Sequence, residues 1–169
     1  MKKLISLLLL TALLLAGCGN EPAAPVETQP ETTAATMTVP DFVVYDGDSN
    51  EVRLSDFFGK PIVLNFWASW CGPCKSEMPD FQKVYEELGG QVQFIMVNVG
   101  EQMSEAAAFI ASTGYTFPVY YDVSNNASFT YQISSIPATF FINAKGELVT
   151  YQVGMLEESL LRTAIDMIR

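Results

Sequence analysis

Cys71 and Cys74 are separated by two residues in Trp70-Cys71-Gly72-Pro73-Cys74. That spacing lets two thiols close a small reversible disulfide where a helix begins. A helix N-terminus offers unpaired backbone N–H groups and the positive end of the macrodipole, and both stabilise a thiolate over a thiol. Cys71 is therefore the expected nucleophile and Cys74, one turn on, the resolving thiol. Pro73 suits the first helical turn, where its missing N–H breaks no hydrogen bond and its fixed φ fits the helix. Three other readings of the spacing are half of a zinc site, a haem attachment and an inert structural pair. Zinc needs two further Cys or His ligands, yet the chain has no histidine and only three cysteines. A c-type haem needs His after the second cysteine, where Lys75 stands. Redox exchange is the expected chemistry, with the structural pair as its alternative.

Elements to position the pair can be read around it. The apolar run Ile62 to Trp67 suits a strand buried on both faces. From Pro73 to Leu88, Met78, Phe81, Val84, Tyr85 and Leu88 recur at helical spacing, and Pro79 is expected to interrupt and kink the helix, since it removes the N–H that would bond the Lys75 carbonyl. Phe42 to Tyr45 and Glu51 to Leu54 flank the turn-rich Asp46-Gly47-Asp48-Ser49-Asn50 and predict a hairpin. Val92 to Val99 predicts a second buried strand and Ser104 to Ser112 a helix capped by Ser104. Val119 to Tyr121 follows as a short strand behind Pro118, then a helix over Ser124 to Tyr131. Ala138 to Asn143 and Leu148 to Val153 predict a hairpin, and Leu156 to Ile168 a terminal helix. Alternating strands and helices followed by a hairpin imply an α/β fold, a mixed central sheet with helices on both faces.

The ends of the chain carry different information. Lys2 and Lys3 precede the apolar Leu4 to Ala16, too short to span a bilayer comfortably but suited to the core of a signal peptide. Leu15-Ala16-Gly17-Cys18 resembles the bacterial lipobox, which implies that Cys18 is acylated and becomes the first mature residue. The expected organisation is a lipoprotein signal peptide over 1–17, a lipid anchor and disordered linker over 18–36, and one domain over 37–169. Residues 19–36 are rich in Pro, Ala, Thr and Glu and bury too little to offset chain entropy. As a random coil they would reach roughly 20 to 25 Å. Lipid anchoring would place the protein on the extracytoplasmic face of a bacterial membrane, where disulfides persist. Lys2 and Lys3 are two of nine basic residues, so the mature part holds 7 basic against 19 acidic side chains. Nucleic acid and anionic headgroups are poor partners for that balance.

With Asn65-Phe66-Trp67-Ala68-Ser69-Trp70-Cys71-Gly72-Pro73-Cys74-Lys75 in view, the chain resembles the thioredoxin superfamily, and more narrowly its membrane-anchored ResA/TlpA-type thiol-disulfide oxidoreductases. The narrower resemblance rests on the amino-terminal hairpin, Glu77-Met78-Pro79, Val97-Asn98-Val99-Gly100-Glu101 and Ser135-Ile136-Pro137-Ala138-Thr139-Phe140-Phe141-Ile142. It implies a thioredoxin-like fold with an N-terminal β-hairpin and a central insertion. It also implies that Ile136-Pro137 is a cis-proline loop lying against the disulfide and offering backbone groups to substrate. Trp70 is then an apolar lip and Trp67 core. Catalytic roles fall on Cys71, Cys74, Glu77 and Pro137, with Trp70, Gly72, Pro73 and Ile136 meeting substrate.

One departure matters. Cytoplasmic-type thioredoxins carry a buried aspartate where this chain has Asn65, and an amide accepts no proton at neutral pH. Glu77 matches an acidic residue of the ResA-like group and is expected to be partly desolvated, to titrate high and to exchange a proton with Cys74. A solvated helix-face glutamate is the alternative. Gly72-Pro73 is the dipeptide of reducing thioredoxins and favours a reductase of protein disulfides, with no cofactor and no metal. The resemblance implies a membrane thiol donor of CcdA or DsbD type, and apocytochrome c cysteines or a methionine sulfoxide reductase as clients. A monomer is expected. The rivals are a disulfide-forming oxidase and a Cu(I)-binding metallochaperone lipoprotein.

Overall fold

The computed structural model describes residues 38–169. The expected signal peptide, Cys18 and the linker lie outside the described residues. Seven strands form one sheet in the order β2-β1-β5-β4-β3-β6-β7. They are β1 (Val43–Tyr45), β2 (Glu51–Arg53), β3 (Ile62–Trp67), β4 (Gln93–Asn98), β5 (Val119–Tyr121), β6 (Ala138–Ile142) and β7 (Leu148–Val153). The helices are α1 (Gly72–Leu88), α2 (Met103–Thr113), α3 (Asn126–Thr130) and α4 (Glu158–Ile168). The mixed sheet expected from the alternation of elements is present: β3 runs parallel to β4, and β4 to β5, whereas β6 is antiparallel to β3 and β1 to β5.

Every residue of β3 is buried, as its unbroken apolar run requires. Because successive side chains alternate faces, Val63, Asn65 and Trp67 look one way and Ile62, Leu64 and Phe66 the other. The first face meets a core built with Cys74, Met78, Phe81 and Val84 of α1, Ala106 of α2 and Leu161, Ile165 and Ile168 of α4. The second meets Phe42, Val44, Leu54 and Ala127, from the amino-terminal hairpin region and α3. Pairing of Asn65 with Thr139 across β3 and β6 fixes two polar side chains next to each other on the α1 side. That register brings polar chemistry under the helix that carries the cysteines.

Five details differ from the sequence reading. A 3-10 turn over Leu54–Phe57 follows β2, with Asp56 accepting from the Arg53 N–H. Helix α2 starts one residue ahead of Ser104: Gln102 is the N-cap, and Glu105 accepts its N–H in a capping box. Ser104 is therefore not the cap. Helix α3 begins at Asn126 rather than Ser124, because the Asp122 carboxylate accepts from the Ala127 and Ser128 N–H groups and sets its first turn there. Helix α4 begins at Glu158 rather than Leu156: Glu157 is its N-cap, its carbonyl accepting from the Leu161 N–H, while the Leu156 N–H is taken by Glu77. The interruption expected at Pro79 is absent too: α1 runs through it as one helix. Among the described residues, no helix is long and apolar enough to cross a membrane.

Candidate active site

Strand β3 ends at Trp67 and the chain turns through Ala68, Ser69 and Trp70 into α1, whose N-cap is Cys71. Cys71 and Cys74 form a disulfide with their Cα atoms 5.3 Å apart. Cys71 Sγ accepts the Cys74 N–H at 3.2 Å, one of the orphan donors of the first helical turn. After reduction the same donor and the helix dipole would favour a thiolate on Cys71. Cys71 is 5% exposed and Cys74 fully buried, so only the first sulfur is open to attack from outside.

Opposite the disulfide, the loop before β6 brings Ile136 into contact: its carbonyl oxygen lies 3.8 Å from Cys71 Sγ. The Ile136-Pro137 peptide bond is cis. Pro137 is buried, while Gly72 and Pro73 are exposed beside the cysteines. Trp70 is 62% exposed whereas Trp67 is fully buried against Phe109, so the two tryptophans occupy the lip and the core respectively. The turn carrying Trp70 is held from the loop after β4: Glu101 accepts from the Ser69 N–H at 2.6 Å, from the Ser69 hydroxyl, and from the Asn98 amide at 2.5 Å. Sequence reasoning gave Glu101 no role. Its signal was only membership of the Val97 to Glu101 run, because an acid that caps a distant turn has no local pattern.

Behind the disulfide, on the second turn of α1, Glu77 is 1% exposed. The solvated alternative for this residue does not hold. Its Oε1 accepts from the Asn65 amide at 2.9 Å and its Oε2 from the Leu156 N–H at 2.8 Å. Burial pushes its carboxyl up to about 7, against the pull of those two donors, and the charge of Asp80 adds to the rise. Asn65 gives its other amide proton to the Thr139 hydroxyl at 2.9 Å. Thr139 and the Leu156 backbone were not legible as site groups, since both meet Glu77 or Asn65 only through the tertiary fold. The assembly can therefore exchange electrons at a sulfur that lies just beneath the surface and hold a titrating acid on the buried side of the same helix.

The sequence model of the AhpC/TSA family matches residues 36–151. Thiol-disulfide oxidoreductase ResA of Bacillus subtilis (strain 168) is 35% identical over 140 residues, covering 82% of this chain and 78% of that protein. Among solved structures, StoA from Bacillus subtilis matches with a TM-score of 0.66 at 27% identity, covering 76% of this chain and 98% of that one. The pneumococcal exposed lipoprotein thioredoxin Etrx1 from Streptococcus pneumoniae strain TIGR4 matches with a TM-score of 0.63 at 32% identity, covering 75% and 99%.

Proposed function

Because the chain belongs to the AhpC/TSA family, and within it to the ResA thiol-disulfide oxidoreductases, we propose that it reduces protein disulfides on the outer face of a bacterial membrane. The observation that carries this reading is the asymmetry of the pair, Cys71 at the helix N-cap and reachable, Cys74 buried one turn behind. In the reduced protein the Cys71 thiolate attacks one sulfur of a substrate disulfide. A Cys71–substrate bond forms, the substrate bond breaks, and the leaving thiolate takes up a proton. Cys74, as thiolate, then attacks Cys71 Sγ, closes the pair, and releases the second substrate thiol. Two electrons pass to the substrate, and a thiol donor at the membrane must return them. Glu77 is assigned the proton of Cys74, since it titrates near neutrality and lies on the buried side of α1.

Trp70, Gly72, Pro73 and Ile136 are assigned to substrate contact, and Pro137 to holding the Ile136 carbonyl against Cys71. The membrane location rests on the lipobox-like Leu15-Ala16-Gly17-Cys18, and the similarity to Etrx1, described as an exposed lipoprotein, is in keeping with it. Residues 1–17 are then the signal, 18–36 the tether and 37–169 the catalytic domain. A membrane thiol transporter is the proposed donor, and apocytochrome c or a methionine sulfoxide reductase the proposed client. Direction is tested by equilibrating the pair in glutathione buffers. A potential near the thioredoxin value of about −270 mV supports the reductase, and one near about −120 mV overturns it in favour of a disulfide-forming oxidase. Location is tested by Cys18→Ala, which should leave an unprocessed precursor in the membrane fraction or release the protein; normal processing and retention would overturn lipidation.

A further inference from the structure

Strands β3 and β4 pair as far as Trp67 and Asn98, and one further backbone bond, from the Val99 N–H to the Trp67 carbonyl at 2.9 Å, carries the ladder to the edge of the active site. Glu101 follows two residues later. On its far side Gln102 caps α2, and the Gln102 N–H is itself taken by Glu105. The half-buried Glu101 is therefore fixed between a strand end and a capped helix, with the buried Asn98 amide against its carboxylate. A side chain held this way can act on what it grips.

The two carboxylate oxygens have different tasks. Oε1 accepts from the Ser69 N–H and from the Asn98 amide, whereas Oε2 accepts from the Ser69 hydroxyl alone. The Ser69 N–H belongs to the same peptide unit as the Ala68 carbonyl, and that carbonyl accepts from the Cys71 N–H at 3.1 Å. One planar group thus links Glu101 to the backbone of the nucleophile. A carboxylate at the N–H end also polarises the peptide and strengthens its carbonyl as an acceptor. Cys71 in turn must keep an extended backbone, φ −80° and ψ 109°, for its Sγ to accept the Cys74 N–H at 3.2 Å.

We propose that Glu101 is a positioning residue for Cys71: by gripping the Ala68–Ser69 peptide unit it holds the N-cap geometry in which the reduced Cys71 sulfur is stabilised as a thiolate. Glu101 contacts neither the sulfur nor the resolving cysteine, and acts through the turn between them and β3. Its reach matters and its charge does not help. A negative group near Cys71 would oppose a second one, whereas the hold on the turn favours the thiolate by keeping Sγ on the Cys74 N–H. The inference rests on the thiol-disulfide exchange reading and goes beyond it by naming a residue outside the helix on which the reactivity of the nucleophile depends.

The test separates reach from charge. Glu101→Gln keeps the reach and loses the charge: its carbonyl can take both donors of Oε1, and its amide can donate to the Ser69 hydroxyl, which then accepts. Glu101→Asp keeps the charge but shortens the arm, so it cannot span Ser69 and Asn98 together. The reduced full chain carrying Cys74→Ser is alkylated with iodoacetamide over a range of pH, and the label on Cys71 is read by mass on its own peptide. Complete loss of a hydrogen bond to a charged group costs about 10-fold or more, and a loosened grip forfeits part of that. Glu101→Asp should therefore raise the thiolate midpoint of Cys71 and slow its labelling at neutral pH by about 3-fold or more, while Glu101→Gln labels within about 2-fold of the parent. Mixed-disulfide formation with cystamine should follow the same order. A profile that Glu101→Asp leaves unmoved, even with a lowered melting temperature, would make Glu101 a staple of the loop and overturn the inference. A profile that follows charge, with Glu101→Gln labelling faster and Glu101→Asp like the parent, would overturn it as well. If the parent labels but exchanges with no disulfide, cystamine included, the exchange reading fails and this inference with it; if the parent exchanges and the three profiles coincide, only the role of Glu101 fails.

Discussion

Asn65 gives one amide proton to the Glu77 carboxylate and the other to the Thr139 hydroxyl, both at 2.9 Å, and leaves its own carbonyl oxygen buried without a partner. An unpaired buried acceptor costs about 1–3 kcal/mol. That cost is borne in an orientation that serves the charged form of Glu77. Burial still outweighs both donors and sets the carboxyl near 7. An aspartate at position 65 would instead face Glu77 with a second buried acid, and one of the two would titrate higher still.

Stability should fall with pH because of this group. Glu77 has a folded pKa raised from 4.5 to about 7. Its neutral form is therefore the one the fold favours: the contribution is fully present below pH 4.5 and lost as pH rises through about 7. A shift of that size corresponds to about 3 kcal/mol. Denaturant titrations at pH 5 and pH 8 should show that loss in the wild type and little of it in Glu77→Gln. Equal pH slopes in the two proteins would contradict the assignment.

Removing Asn65 should push Glu77 further up. A hydrogen bond to a charged group contributes about 1.5–3 kcal/mol, or about one to two pKa units. In Asn65→Ala, the Glu77 carboxyl carbon followed by NMR should titrate above its wild-type midpoint. An unmoved midpoint would show that the amide does not hold the charge.

The proposed proton exchange between Glu77 and Cys74 has a kinetic signature. The rate at which the Cys71–substrate mixed disulfide resolves should carry an inflection near pH 7 in the wild type, from Glu77. Glu77→Gln should lose that inflection while the thiol titration at higher pH remains. A profile identical in both proteins would remove Glu77 from the mechanism.

Two glycines separate backbone strain from steric contact. Gly114 and Gly146 both have positive φ, 74° and 80°, but a Cβ at 114 meets nothing within 4 Å whereas one at 146 would lie 2.8 Å from the Phe58 ring. Gly114→Ala should cost about 1 kcal/mol for the left-handed backbone alone. Gly146→Ala should cost more, by about 1–3 kcal/mol for overpacking. Equal losses of thermal stability would mean that Phe58 simply moves aside.

Much of this architecture could be read from residue patterns. The run Ile62 to Trp67 announced a strand buried on both faces, and the spacing of Met78, Phe81, Val84 and Leu88 announced α1. Trp70-Cys71-Gly72-Pro73-Cys74 announced the redox pair because its chemistry is local, a sulfur at a helix start. What stayed hidden depends on distant partners. Thr139 reaches Asn65 only through the β3–β6 register, Leu156 reaches Glu77 across 79 positions of chain, and Glu101 ties down Ser69 from the loop after β4. Local propensity also misplaced the α2 cap. Ser is a common N-cap, but the Gln102 and Glu105 pair closes a reciprocal box two residues earlier.

The central claim, that Cys71 attacks and Cys74 resolves, is tested most directly by trapping. Reduced Cys74→Ser protein exposed to disulfide-bonded protein substrates should accumulate a covalent adduct on Cys71 that dithiothreitol releases. Cys71→Ser should form little adduct, because Cys74 is buried, and the wild type should form adduct only in passing. Adducts that accumulate equally on Cys71→Ser and Cys74→Ser, or on neither, would contradict the account.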